Sequence, residues 1–221
     1  MPAEPIHRLH KVPDEDQWRG LFDAWHKHLE AVWKRDKNDA PWGYSERTNV
    51  GLLASANDKD GGVSMVEVPF RRRAGQADEG AGRYDLWLAR DKWELYAEAK
   101  QAWVPTLSEE HIDHVAQKLD EAMEQVQHLS PVAANATIAT LVFVVPYPTC
   151  TSATMRERVV REFREFEDKL WDSQKKHSGT FQTSFSLLHH EFWELPSEDH
   201  AHPRAWPGVI LCGRIHPTGA A

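Results

Sequence analysis

Three residues whose types could do chemistry together, Asp85, Glu98 and Lys100, fall within one short stretch of the chain. Two strand-like runs, Arg83 to Arg90 and Trp93 to Lys100, are separated only by Asp91 and Lys92, a spacing that suits a tight two-residue hairpin. With those two as the turn, Arg90 faces Trp93 and Asp85 faces Glu98. Directly opposed residues share a face, with Cβ atoms about 4.5–5.5 Å apart. Lys100, two residues past Glu98, joins them, whereas Trp93, Leu95, Ala97 and Ala99 turn the other way. Trp87 shares the face of Asp85. Two carboxylates this close repel unless a cation stands between them, and their oxygens suit a hard divalent ion such as Mg²⁺ or Mn²⁺. An ammonium beside that ion could orient and deprotonate a water, or offset charge developing on a phosphate in flight. The bland alternative is a cross-strand salt bridge on a solvated face.

The elements around this hairpin are legible as periods. Trp18, Leu21, Phe22, Trp25, Leu29, Val32 and Trp33 recur at three- and four-residue steps and predict an amphipathic helix from Asp16 to about Lys34. Ser45 reads as the N-cap of a small-residue helix through about Ala56, with Glu46 in its first turn, where a carboxylate complements the helix dipole. Val63 to Phe70 reads as a strand, followed by the Gly-rich, charged loop RRRAGQADEGAG. Thr106 and Glu109 suggest a capping box for a helix that holds its period to Leu129. Ala136 to Val145 is apolar on both parities, as a strand covered on both faces must be. A further amphipathic helix is expected from Ala153 to Lys176, then strands in FQTSFSLL and GVILCGRI. The order predicts an α/β protein with a mixed central sheet flanked by helices.

On these residues the chain resembles the PD-(D/E)XK nuclease superfamily: Asp85, twelve residues, then Glu98-Ala99-Lys100. In that superfamily the acid stands on the second core strand and the E-x-K on the third, within the order helix, three strands, helix, strand. Ser45 to Val145 reproduces this order. The resemblance implies a restriction endonuclease-like core and a Mg²⁺- or Mn²⁺-dependent nuclease acting on DNA. Asp85 and Glu98 would be metal ligands, Ala99 would add its backbone carbonyl, and Lys100 would activate water or stabilise charge. Glu46 matches the family's helix glutamate as an outer-sphere helper, and Gln101, right after the lysine, would position the attacking water or a phosphate. One domain is expected over 1–221, with a helical extension at 1–44, the nuclease-like core at 45–145 and a C-terminal helix with strands at 146–221. Arg71, Arg72 and Arg73 would grip a nucleic-acid backbone, although a charged loop balanced by Asp78 and Glu79 explains them as well.

Composition narrows the alternatives. A net charge of -8 supplies no global field for a polyanion, so any contact with nucleic acid must be local. The ten tryptophans are expected as core mass or as the interface of a homodimer or larger complex. Two cysteines, Cys150 and Cys212, are too few for a disulfide framework and read as buried thiols. His189, His190 and Glu191, with His200 and His202, could form a zinc site but sit in a polar loop. Glu67 reads as an exposed strand residue or an extra acid near the site. No Gly-x-Ser-x-Gly elbow, Walker A loop or dinucleotide fingerprint occurs. The chain holds no membrane-length apolar run and opens without signal-peptide features, so a cytoplasmic protein is expected. Beside the nuclease reading stand two rivals: an inactive binding subunit with this fold, in a phage, mobile-element or defence complex, and an unrelated α/β protein whose triad is a surface salt-bridge cluster.

Overall fold

The computed structural model describes residues 5–36, 39–70, 82–127, 136–149, 153–187, 194–195 and 204–216. In chain order the elements are β1 (His7–His10), α1 (Glu15–Arg35), a 3-10 turn (Pro41–Gly43), α2 (Glu46–Lys59), β2 (Val63–Phe70), β3 (Gly82–Arg90) and β4 (Trp93–Val104). They continue with α3 (Glu110–Gln127), β5 (Thr137–Pro146), α4 (Ala153–Gln174), β6 (Thr180–Ser186), β7 (Glu194–Leu195), β8 (Arg204–Ala205) and β9 (Gly208–His216). Seven strands form one mixed sheet in the order β1-β6-β9-β5-β4-β3-β2. The protein is therefore of the α/β class, with helices on both faces. Among the described residues only β4 and β5 pair in parallel, which requires a crossover, and α3 supplies it.

The faces follow from residue parity. Leu86, Leu88, Leu95 and Ala97 join α1 and α2 in one core, while Ala102, Val142, Val144 and Cys212 join α3 and α4 in the other. The tryptophans on the first face are packing mass. Trp18 stacks on Phe181 at 4.4 Å between centroids and meets Trp93 edge-on at 5.3 Å. Cys212 is a buried free thiol; Cys150 lies outside the described residues. No helix among the described residues is long and apolar enough to cross a membrane.

Two local expectations need correction. The third helix begins at Glu110, not just after Thr106, because Thr106 bonds to Ser108 and the Glu109 carboxylate is drawn to Lys169 of α4 at 2.7 Å instead of back to a cap. The strand β1 has no counterpart in the sequence reading. His-Arg-Leu-His offers no apolar alternation, and it becomes a strand by pairing with β6, His7 opposite Thr183 and His10 opposite Thr180.

That pairing builds a hydrogen-bonded chain. The Thr183 hydroxyl is shared by His7 Nδ1 at 2.8 Å and His26 Nε2 at 3.0 Å, and His7 Nε2 reaches Asp23 at 3.0 Å. Burial first, then the neighbouring His7, lowers the His26 pKa to about 3, with Asp23 pulling weakly the other way. The unfolded chain therefore takes up a proton near pH 6.5 that the folded one refuses until about pH 3, and stability drains as pH falls through that window. Melting curves should show the parent losing up to about 1.4 kcal/mol per pH unit below 6.5 through this group, and His26→Gln losing less. Parallel pH profiles for the two proteins would remove His26 from the account.

Candidate active site at the β3–β4 fork

The hairpin forms in the expected register, from Arg90 opposite Trp93 to Leu86 opposite Ala97. Asp91 takes a left-handed conformation in its turn (φ 47°), which a short side chain able to bond its own backbone tolerates, so no glycine is needed. The ladder then stops. Beyond Leu86, the Asp85 carboxylate, in place of a main-chain carbonyl of β3, accepts the Ala99 N–H at 2.8 Å. On the far side, β2 loses its pair at the same level, where Glu67 adopts φ 54° between Val66 opposite Leu86 and Val68 opposite Tyr84. The strand β3 is thus kinked at Asp85 and parts from β4, while β5 keeps its pairing along β4 to Val104.

Carboxylates line the edge of β4 that β3 vacates. Next along it, the Gln101 N–H donates to Glu46, the first residue of α2. Ser45 caps this helix, its Oγ accepting the Thr48 N–H at 3.1 Å, and so points the Glu46 turn at the fork. A strand residue's N–H and C=O face the same side, so the Ala99 carbonyl looks into the same gap. Glu98 and Lys100 stand at its border, with Lys100 Nζ 2.9 Å from Glu98 Oε1. Asp85, Glu98, Lys100 and Glu46 are therefore brought together.

The electrostatics fit a site short of positive charge. Glu98 is buried, and burial first, then the charge of Asp85, pushes its pKa up to about 7 against the pull of Lys100. Glu46 is raised as well, by burial above all and by Asp85, with Lys100 and Lys118 of α3 lowering it. Because its folded pKa lies above the ordinary 4.5, Glu98 favours folding most below pH 4.5 and loses that contribution as pH rises to about 7. In EDTA, Glu98→Gln should melt roughly 5 °C above the parent at about pH 8 and level with it at about pH 4. Mg²⁺ at the higher pH should raise the parent and leave the variant unmoved. A variant that melts below the parent at both pH values would show that the Lys100 ion pair outweighs the burial of the charge.

Not every expected residue faces this gap with its side chain. Gln101 turns its amide to the helix side, where its Oε1 accepts from Asn49 Nδ2 at 3.1 Å, so it positions α2 and is not aimed at a water beside Lys100. Asn49 also donates to the Trp42 carbonyl at 2.8 Å. The sequence reading missed it, although a polar residue one turn after Glu46 on a helix of small residues was the available signal. Lys118, half-buried at the flank of the apolar stripe of α3, was missed because a charged residue at that border reads as the start of a solvated face. Glu67 is held on the surface by Arg47 and by Arg83. Trp87 packs beside Tyr96, its opposite in the hairpin, at 6.5 Å. Arg71, Arg72, Arg73 and the histidines at 189, 190, 200 and 202 lie outside the described residues.

Among the described residues no group of three or more His, Cys, Asp or Glu is arranged to hold a metal. Mg²⁺, however, is commonly held by one or two carboxylates with waters completing its shell. Asp85 and Glu98, with the Ala99 carbonyl beside them, fit that demand. A cleft of ≈ 500 Å³ lined by Arg8, His26, Lys27, Arg164 and Glu167 lies at the opposite edge of the sheet and does not include these acids. No family model, curated protein or solved structure matches the chain.

Proposed function

We propose that the protein is a Mg²⁺- or Mn²⁺-dependent phosphodiesterase acting on nucleic acid, with DNA as its substrate. The observation that carries this reading is the convergence of Asp85, Glu98, Lys100 and Glu46 on the β4 edge that β3 leaves open. It is joined by the resemblance to PD-(D/E)XK nucleases, whose element order α2, β2, β3, β4, α3, β5 follows. Asp85 and Glu98 hold the ion, with the Ala99 carbonyl as a further ligand. When bound, the ion supplies Lewis acidity toward a phosphodiester oxygen and acidity to a water. Lys100 orients the attacking water and offsets charge developing on the phosphate. Glu46, bound to the Gln101 amide, acts from outside the ion's shell and keeps α2 against the fork. Arg71, Arg72 and Arg73 follow the strand beside β3 in sequence and supply local positive charge for a backbone.

The test is incubation with supercoiled plasmid, linear duplex and single-stranded oligonucleotide in Mg²⁺, Mn²⁺ or EDTA. Cutting of one of them with metal, and none in EDTA, is expected. Equal cutting in EDTA would falsify the metal role. Binding with no cutting in either metal would favour a subunit that keeps the fold for association, with the 2.9 Å Lys100–Glu98 pair as a structural ion pair.

A further inference from the structure

The β4 edge that begins at Ala99 runs on past Gln101 to Trp103, one of the large apolar side chains left exposed, at 37 %. With about 3.3 Å of rise per strand residue, Trp103 lies roughly 13 Å from Ala99. Its ring is the outer member of an aromatic group assembled from distant parts of the chain. Trp206, between β8 and β9, meets it edge-on at 5.8 Å; Tyr147, after β5, meets it edge-on at 5.7 Å and stacks on Trp206 at 5.8 Å. The Arg204 guanidinium lies 5.2 Å from the Tyr147 ring centroid. This group is tied to the fork. A Cβ at Gly43 would stand 2.9 Å from Trp206 Cε3, so glycine is what lets the ring approach the turn that leads into α2. The neighbouring Trp42 carbonyl holds Asn49, and Asn49 holds Gln101.

From this arrangement we infer that Trp103 and its aromatic neighbours, on the face of β4 that carries Gln101 and not Lys100, form a stacking platform for an unpaired nucleobase, so that the substrate carries single-stranded nucleotides a few positions away from the bond that is cut. The inference rests on the nuclease reading and names its substrate class. Stacking needs a free π-face, which a base in an intact duplex does not offer, and it tolerates any base. It also suits a chain of net charge -8, which has no broad positive field to hold a backbone. Arg204 adds a cation at the platform itself.

The test is fluorescence anisotropy in EDTA with a short labelled oligo(dT) and with a duplex of the same length, for the parent, Trp103→Ala and Trp103→Phe. The parent should prefer the single strand, Trp103→Ala should weaken that binding about tenfold, and Trp103→Phe, which keeps a stacking ring, should stay within a few-fold. An oligonucleotide carrying 5-iododeoxyuridine, irradiated on the unmutated protein, should crosslink to Trp103 in a peptide map, which keeps the test independent of how the variants fold. Equal single-strand binding by Trp103→Ala, or crosslinks only elsewhere, overturns the platform, and metal-dependent cutting by that same variant would leave the nuclease reading standing. A parent that binds neither oligonucleotide and cuts nothing overturns both.

Discussion

Asp85→Asn and Lys100→Ala should each cut nucleic acid with Mg²⁺ at about 10²–10³-fold lower rate than the parent, the effect of removing one preorganised charge from a transition state. The two substitutions act at different atoms. Asn at position 85 keeps an oxygen for the Ala99 N–H, 2.8 Å away in the parent, so the kink in β3 survives while one of two converging negative charges disappears. Its apo form should therefore melt at or above the parent temperature, and its affinity for the ion, read by titration calorimetry, should fall. Lys100→Ala leaves both carboxylates. It removes the ammonium that Glu98 accepts from at 2.9 Å, so Glu98 holds its proton to still higher pH, and the pH profile of metal binding should move upward. Metal affinity at alkaline pH should be retained while turnover is lost. Parent-like turnover in either variant would remove the acid/acid/lysine cluster from the chemistry and leave it a structural ion pair.

A large loss of stability is expected away from the site, at Gly213 of β9. A Cβ there would stand 2.2 Å from the Thr140 carbonyl oxygen and 2.4 Å from Phe181 Cζ. Neither neighbour can yield cheaply. Thr140 belongs to β5, paired on both sides and set opposite Glu98, and Phe181 is stacked against Trp18. Gly213→Ala should therefore cost about 3 kcal/mol or more, near the upper end for overpacking, and lower the melting temperature by roughly 10 °C. Gly51 is the control, a helical glycine in α2 with nothing within 4 Å of an added Cβ. Gly51→Ala should stabilise by about 0.5–1 kcal/mol through helix propensity alone. Should Gly213→Ala melt with the parent, the close approach of β9 to β5 described here is wrong.

The sequence by itself determined whatever depends on neighbours within a few residues. The 3.6-residue period of α1, the Ser45 cap, the two-sided apolar run of β5 and the two-residue hairpin with Arg90 opposite Trp93 are local patterns, and each recurs in the structure, although the hairpin ladder ends at Leu86 and Ala97, one pair short of Asp85 and Glu98. Only tertiary structure decided the rest. His7–His10 is a strand because β6 offers it an edge, with nothing in its own residues to mark it. The sheet order, with β6 and β9 between β1 and β5, depends on pairings between segments far apart in the chain. The departure of β3 at Asp85 required a side chain to take a backbone amide from its own ladder, an exchange that alternation cannot announce. Gln101 faces Asn49, and Trp103, Tyr147 and Trp206 meet, because the sheet brings those stretches side by side. Periodicity records which face of an element is buried; which element buries it, and which edge is left open for chemistry, is set by long-range pairing, where the whole chain competes for each strand edge.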